Sequence, residues 1–316
     1  MQKPSDKKQK VLGIVGATAS GKTALSLEVA EALGCEVLCM DSMQIYKHMD
    51  IGTAKPTAAE RKRAPHHLLD IIEPTAPFSV AEYVQKAHAV IAQVISRGNI
   101  PLLVGGTGLY LQGLSLPMDY GGLPSDPDIR AALQMQLERE GAAALHASLN
   151  IIDPQTAARL HPNDTRRVIR ALEIYRLTGI PMSAHRVPQA ADSPYDFKLF
   201  TIDWPRSELH ARINLRVDQM MREGLLYEVE KLLDSGITPE MQSMQGLGYK
   251  ELVPVLQKGE SLSNAVEQIK TGTRNYARRQ LIWFRRDKRI QWIPCDRLSC
   301  AKDFITKEWR GFDSWI

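Results

Sequence analysis

The sequence predicts an α/β fold, a parallel sheet core flanked by helices and interrupted by a helical insertion. Three observations carry this. The first hundred or so residues alternate short apolar runs with helical patterns. The glycine-rich string Gly16–Thr23 (GATASGKT) sits between an apolar run and a helical one. The α/β rhythm then breaks near Leu116, gives way to polar, Ala-rich helical sequence, and resumes near Lys198.

Taken in order, Val11–Val15 reads as a buried strand and Lys22–Leu33 as the helix after it, stopped by Gly34. Glu36–Met40 is a second strand ending at Asp41, and His67–Ile72, bounded by Pro65 and Pro74, reads as a third. Ser79–Ser96 places Val80, Val84, Ala87, Ile91 and Val94 at helical spacing, with Ser79 as N-cap and Gly98 at its end. Ile100–Val104 is a further strand running into Gly105-Gly106-Thr107. Residues 117–128 are turn-rich, and His161-Pro162-Asn163-Asp164 caps a helix from Thr165 to Thr178 closed by Gly179. Lys198–Asp203 returns to strand, followed by helices over Arg206–Glu223 and Ser263–Phe284 and a short strand at Arg289–Ile293. The expected domains are therefore residues 1–116 with 198–316 as the core, and 117–197 as the insertion.

The chain has 316 residues, 44% of them hydrophobic and 24% charged, as in globular proteins, and no run approaches the ~20 apolar residues that span a bilayer. Lys7, Lys8 and Lys10 before Val11–Val15 mimic a secretion signal, but the apolar run is short and leads directly into Gly21-Lys22-Thr23. The expectation is a cytoplasmic monomer with no membrane contact. Cys35, Cys39, Cys295 and Cys300 lack tight zinc-site spacing and read as free thiols. Charge is uneven: residues 270–290 hold eight Lys or Arg against Asp287 alone, although the whole chain is only +4. A basic stripe on a near-neutral body points to a specific polyanion.

The string Gly16, Ala17, Thr18, Ala19, Ser20, Gly21, Lys22, Thr23 fits G-x-x-x-x-G-K-[ST] in the strand-to-helix context that motif requires. Its backbone amides can wrap a phosphate, Lys22 adds a point charge, and Thr23 offers a hydroxyl to Mg²⁺. The arrangement is P-loop NTPase-like, and a nucleoside triphosphate such as ATP is the default ligand. Yet the strand Ile100–Val104 ends in Gly-Gly-Thr, where a nucleotide-hydrolysing protein usually has an acid that holds the metal. The nearest suitable acid is Asp41, at another strand's carboxyl end, where parallel sheets face their ligands. Metal positioning, base catalysis and simple turn capping are all open to it. Thr107 is either a ligand-binding hydroxyl or a helix cap. Arg212 and Arg216, four apart, either reach a second phosphate or form a solvated face.

Arg274 and Arg278 share a helix face opposite the stripe Ala277, Leu281 and Phe284, with Tyr276 and Trp283 as rings for stacking or packing. In the insertion, Arg166, Arg167 and Arg170 surround Val168, Leu172 and Tyr175. Two arginine-bearing helices suit a nucleic-acid cleft; ordinary solvated faces are the alternative.

With these strings assembled, the chain resembles the bacterial tRNA dimethylallyltransferases, or tRNA isopentenyltransferases. The likeness runs through GATASGKT (16–23), DSMQIY (41–46), DIGTAKP (50–56), PHHLLD (65–70) and GGTGLY (105–110). It continues through HPNDTRRVIRALE (161–173), RINLRVDQMMREGL (212–225), GLGYKE (246–251) and RNYARRQLIWFRR (274–286). The family commonly has Pro where this chain has Ala17, and the C-terminal zinc finger of eukaryotic relatives has no counterpart here.

The resemblance implies transfer of a dimethylallyl group from dimethylallyl diphosphate to the exocyclic amine of the adenosine 3′ of a tRNA anticodon. The loop then holds a prenyl donor's diphosphate, which accounts for the missing acid. Asp41 becomes the general base or acceptor at the adenine amine, with Thr107 beside it. Lys22, Thr23 with Mg²⁺, and Arg216 stabilise the leaving group, and the adenine must leave its stack. Contacts to the anticodon stem-loop carry over onto Asp41, Ser42, Met43, Gln44 and Thr107, onto Arg130, and onto Thr165, Arg166, Arg167, Val168 and Ile169. They continue at Gly246, Gly248 and Tyr249, and at Arg274, Tyr276, Arg278, Arg279, Gln280 and Leu281. A small-molecule kinase and a non-catalytic RNA-binding ATPase are the rival expectations.

Overall fold

The computed structural model describes residues 8–116, 126–185 and 193–313. The N-terminal residues 1–7, including Lys7, and the turn-rich stretch 117–125 lie outside the described residues. Two compact units emerge, one from residues 1–115 with 193–316 and the other from 116–192.

The larger unit runs β1 (Gln9–Val15), α1 (Lys22–Leu33), β2 (Cys35–Met40), α2 (Ala58–Arg63), β3 (His66–His67), α3 (Val80–Ser96), β4 (Ile100–Gly105) and α4 (Gly108–Ser115). The smaller unit holds α5 (Pro127–Ile152), α6 (Pro154–Arg159) and α7 (Thr165–Thr178). The chain then returns through β5 (Tyr195–Asp203), α8 (Arg206–Glu223), α9 (Leu225–Asp234), α10 (Tyr249–Lys258), α11 (Leu262–Phe284), β6 (Ile290–Pro294) and α12 (Leu298–Asp313). All six strands are parallel, in the order β3-β2-β4-β1-β5-β6.

Strands buried on both faces are near-continuous apolar runs: β1 is apolar and buried from Val11 to Val15, and β2 is buried throughout with Glu36 as its one charged residue. One face packs Val11, Val15, Leu38 and Leu199 against Tyr83, Ile91, Val217 and Phe284. The other packs Leu12, Ile14, Leu102 and Phe200 against Leu25, Val29, Ile305 and Trp309. Local signals set the helix ends: Ser79 and Glu82 form a reciprocal capping box on α3, and Gly34 closes α1 in the left-handed conformation at φ 69°.

One strand is shorter than expected. In place of His67–Ile72, β3 is two residues long, because Leu68 and Asp70 turn into positive φ (63° and 52°). The chain is held there by Asp70, whose carboxylate accepts from Lys55 at 2.5 Å and Arg61 at 2.7 Å, and by the Ile71 amide, which donates to the Ile45 carbonyl. Helices α9, α10 and α12 went unread in the sequence.

The insertion unit is helical with its own core of Leu133, Leu145, Leu149, Val168 and Leu172. Its long helix α5 breaks at Gly141, where φ is 83°.

Candidate active site

In a parallel sheet the loops after each strand gather at the carboxyl edge. Here β1 delivers the Gly16–Thr23 loop, β2 delivers Asp41, β4 delivers Gly106 and Thr107, and β5 delivers Trp204. Adjacency in the strand order brings these loops together.

The loop is held from several sides through its backbone groups, which bond to β4 and to side chains of Trp204, Arg212 and Gln280. The Gly16 amide donates to the Gly105 carbonyl at 3.2 Å. Gly16 sits at φ 135° with Thr201 Oγ1 where a Cβ would go, so only glycine fits. Trp204 Nε1 donates to the Ser20 carbonyl at 2.9 Å, and Arg212 Nε to the Ala19 carbonyl at 2.8 Å. Arg212 also lies over the Trp204 ring, 4.3 Å from its centroid. The Thr18 amide donates to Gln280 Oε1 at 2.9 Å. Ala19 is held at φ 60°, a strained conformation for a residue with a side chain.

Lys22 Nζ donates to the Ala17 carbonyl at 2.5 Å. Burial, then Arg216, lower the Lys22 ammonium from 10.5 to about 7, while Asp41 pulls the other way. Burial likewise lowers Arg216; Asp41 opposes that shift and Arg212 adds to it. Two cations set close together against one carboxylate form a site suited to a multiply charged anion.

Asp41 Oδ1 accepts from the amides of Met43 at 2.8 Å and Gln44 at 3.4 Å. The Ser42 amide donates to Thr107 Oγ1 at 3.1 Å and the Thr107 amide to the Met40 carbonyl at 3.2 Å, so Asp41 and Thr107 stand on neighbouring strand ends joined by two bonds. The close fit of β2 and β4 needs Gly105, because a Cβ there would meet the Met40 carbonyl. Gln44 is anchored by its side-chain amide to the carbonyls of Thr53 and Ala54.

Beside the loop opens a cleft of about 1110 Å³. Its walls are Ser20–Ala24, the α8 residues Arg212, Leu215, Arg216 and Met220, and a segment from Lys47 to Arg61. The third wall was missed in the sequence, although two family-specific strings signal it. Lys55 of DIGTAKP, its side chain 1% exposed, meets Asp50 at 2.8 Å, Asp70 of PHHLLD, and the Tyr46 carbonyl. Trp204 was also missed; its only signal is its place just past a strand end.

Other expected residues lie elsewhere. Tyr249, read as an RNA contact, is 1% exposed. Its hydroxyl donates to Glu228 Oε1 at 2.6 Å, and the same carboxylate accepts from the amides of Asp50, Ile51 and Gly52. A core position for the ring and a charged acceptor for the hydroxyl leave it none of the solvent-facing surface an RNA contact uses. Gly246 packs on Met43, and Gly248 starts α10 at φ 94°. On α11, Arg278 and Arg279 are exposed, Arg274 donates to Asn214 Oδ1 at 2.7 Å, and Leu281 is half-buried against Ala19 and Ala277. Gln280, also read as an RNA contact, is buried beneath the loop, because both ends of its amide are taken by backbone.

Within the insertion unit, Arg130 and Arg170 converge on Glu173, which is fully buried, at 2.9 and 2.8 Å. Burial pushes the Glu173 carboxyl up, but the two arginines outweigh it and hold it below the usual range. Val168 and Ile169 are core residues at 0% and 6% exposure, which corrects their reading as RNA contacts. Thr165 is half-buried, while Arg166 and Arg167 face solvent, the latter paired with Asp164 at 3.2 Å.

A phosphate loop after β1, a basic cleft, a hydroxyl after the adjacent β4 and an acid after β2 one strand further on define a P-loop α/β protein arranged for group transfer. The family model described as IPP transferase matches residues 44–287, and one described as Isopentenyl transferase matches 9–71. A tRNA dimethylallyltransferase of Pelotomaculum thermopropionicum is 47% identical over 294 residues, 93% of each chain. That of Bacillus subtilis is 46% identical over 303 residues, covering 95% of this chain and 96% of the relative. The crystal structure of a tRNA isopentenylpyrophosphate transferase from Bacillus halodurans superposes with a TM-score of 0.71 at 41% identity, covering 97% of this chain and 99% of that one. A eukaryotic dimethylallyltransferase acting on tRNA gives 0.77 at 28% identity, covering 95% and 80%. The chain belongs to the tRNA dimethylallyltransferase family and is a transferase.

Proposed function

We propose that this enzyme transfers the dimethylallyl group of dimethylallyl diphosphate to the exocyclic N6 amine of the adenosine at position 37, 3′ of the tRNA anticodon, releasing diphosphate. The observation that carries the reading is the bond between the Ser42 amide and Thr107, which sets an acid and a hydroxyl side by side next to the phosphate loop. The amine nitrogen forms a bond to C1 of the dimethylallyl group as the C1–O bond breaks, and the electron pair of that bond leaves with the diphosphate. Asp41 accepts the proton that the amine loses, and Thr107 orients the amine. Lys22, Arg216 and the loop amides stabilise the charge gathering on the leaving group, with Arg212 steadying the loop.

Among the described residues there is no group of three or more His, Cys, Asp or Glu able to hold a metal. Thr23, which lines the cleft beside Lys22, would offer its hydroxyl to Mg²⁺ bound together with the diphosphate. When bound, the ion would neutralise leaving-group charge.

The exposed Arg166 and Arg167, and Arg274, Arg278 and Arg279 of α11, are proposed to grip the anticodon stem-loop. The enzyme is proposed to act as a monomer. No helix among the described residues is long and apolar enough to cross a membrane, and the reaction is proposed to take place in the cytoplasm. The test incubates protein, Mg²⁺, dimethylallyl diphosphate and anticodon stem-loop RNA without ATP, then weighs the digested nucleosides. The expected result is an isopentenyl-sized gain on one adenosine; no gain overturns the reading.

A further inference from the structure

The α11 helix grips the turn after β4 along its length. Tyr276 lies near Thr107, Gln280 bonds the Gly106 carbonyl, and the Trp283 ring packs where a Cβ of Gly108 would stand. Residues 276, 280 and 283 fall on one helix face. Of these, Gln280 alone also reaches the phosphate loop.

Its amide is a two-ended clamp. Oε1 accepts from the Thr18 amide at 2.9 Å and Nε2 donates to the Gly106 carbonyl at 2.9 Å. The partners fix the orientation, since a flipped amide would set donor against donor and acceptor against acceptor. The clamp has little slack: Gln280 is 5% exposed, and a Cβ on Gly106 would run into Nε2. Exposed arginines 278 and 279 flank it on the same helix, and Arg274 is held by neutral acceptors, Asn214 and Thr271, which leave its charge uncompensated.

We propose that Gln280 is a positioning residue that couples RNA docking on α11 to the shape of the phosphate loop. This rests on the functional reading above, in which α11 holds the RNA and the loop holds the donor. Ala277 and Leu281 give α11 an apolar contact with the loop at Ala19, but Gln280 alone bonds both Thr18 and Gly106, so a force on the helix arginines reaches the loop and the turn carrying Thr107 together through this amide. Because coupling between binding sites is reciprocal, diphosphate bound in the loop must favour RNA by the same factor.

The experiment uses the full chain and measures the Kd of inorganic diphosphate with Mg²⁺ by calorimetry, with and without saturating anticodon stem-loop RNA. The wild type is expected to bind diphosphate tighter with RNA present, by a factor in the range of about 5- to 150-fold. In Gln280→Met, close in volume but unable to bond at either end, that factor should fall to about 1 and kcat at saturating RNA by about tenfold or more. Gln280→Glu keeps the acceptor for Thr18 but loses the donor to Gly106, and should be intermediate; it carries the test if the Met variant does not fold. A Gln280→Met enzyme with the wild-type factor and kcat overturns the proposal in favour of packing alone. Weaker RNA affinity with kcat intact at saturating RNA overturns it in favour of a direct RNA contact. A wild type that binds both ligands without coupling refutes the clamp and leaves the functional reading standing, whereas one that binds neither refutes both.

Discussion

The Ser42 amide and Thr107 Oγ1 meet at 3.1 Å, and this bond joins two parallel strand ends without belonging to either ladder. The Thr107 amide donates in return to the Met40 carbonyl at 3.2 Å. The two bonds together make the acid at 41 and the hydroxyl at 107 a fixed pair.

Thr107→Val keeps the shape but leaves the Ser42 amide without its acceptor, a loss of about 1–3 kcal/mol. Thermal unfolding should drop by about 2–4 °C per kcal/mol for a unit of this size. Single-turnover transfer should slow by about a hundredfold, and Thr107→Ser should restore most of both. An unchanged rate in the Val variant would remove Thr107 from the site.

Asp41→Ala should lose turnover by about 10²–10⁴-fold. Donor binding should persist and even tighten, because Asp41 is the carboxylate that partly offsets Lys22 and Arg216. Calorimetry with inorganic diphosphate checks the second half, and unchanged turnover would dismiss Asp41 as the base.

Lys22, lowered from 10.5 to about 7, gives two pH signatures. Between about 7 and 10.5 the unfolded chain binds the extra proton and the folded one does not, so this group makes stability rise with pH across that window. Diphosphate favours the charged ammonium, so its affinity should fall as pH rises through 7, with proton uptake on binding near and above that pH. Calorimetry in buffers of different ionisation enthalpy measures the uptake. Lys22→Arg, charged throughout, should abolish that part of it.

Glu228 serves four donors, the amides of Asp50, Ile51 and Gly52 and the Tyr249 hydroxyl. Glu228→Ala strands them and should cost about 3–5 kcal/mol, read as a denaturation midpoint shift. Tyr249→Phe should cost only about 1 kcal/mol and leave RNA affinity unchanged. Weaker RNA binding would return Tyr249 to the RNA surface.

Arg278→Ala and Arg130→Ala should fail differently. The exposed Arg278 should weaken RNA binding and lower the salt slope by about 1. Arg130 shares the buried Glu173, and its loss should appear first as reduced stability of the insertion unit. A salt slope unchanged by Arg278→Ala would exclude a phosphate contact there.

Much of this was legible in the residues. The strand-loop-helix context of GATASGKT marks the phosphate loop, and with no acid after Val104 the nearest strand-end acid is Asp41. Apolar periodicity found α3, α7 and α8 because each buries one regular face. It failed at His67–Ile72, where Lys55 and Arg61 pull Asp70 into a turn that no local pattern encodes. Periodicity placed Val168 correctly in an apolar series; it is the contacts carried over from the resemblance that failed at Tyr249, Val168 and Gln280. A resemblance marks such positions as important, but only packing shows whether a side chain faces a partner or supports a neighbour that does.

The sheet order has a consequence for synthesis. Strand β1 lies between β4 and β5, yet the insertion separates those two in sequence. As the chain emerges from the ribosome, one edge of β1 waits unpaired until residue 203 has passed, while residues 116–192 are already available to close a core of their own. Premature termination before β5 would therefore release a finished appendage tethered to an unfinished sheet with a sticky central edge. Such fragments are natural clients for a chaperone.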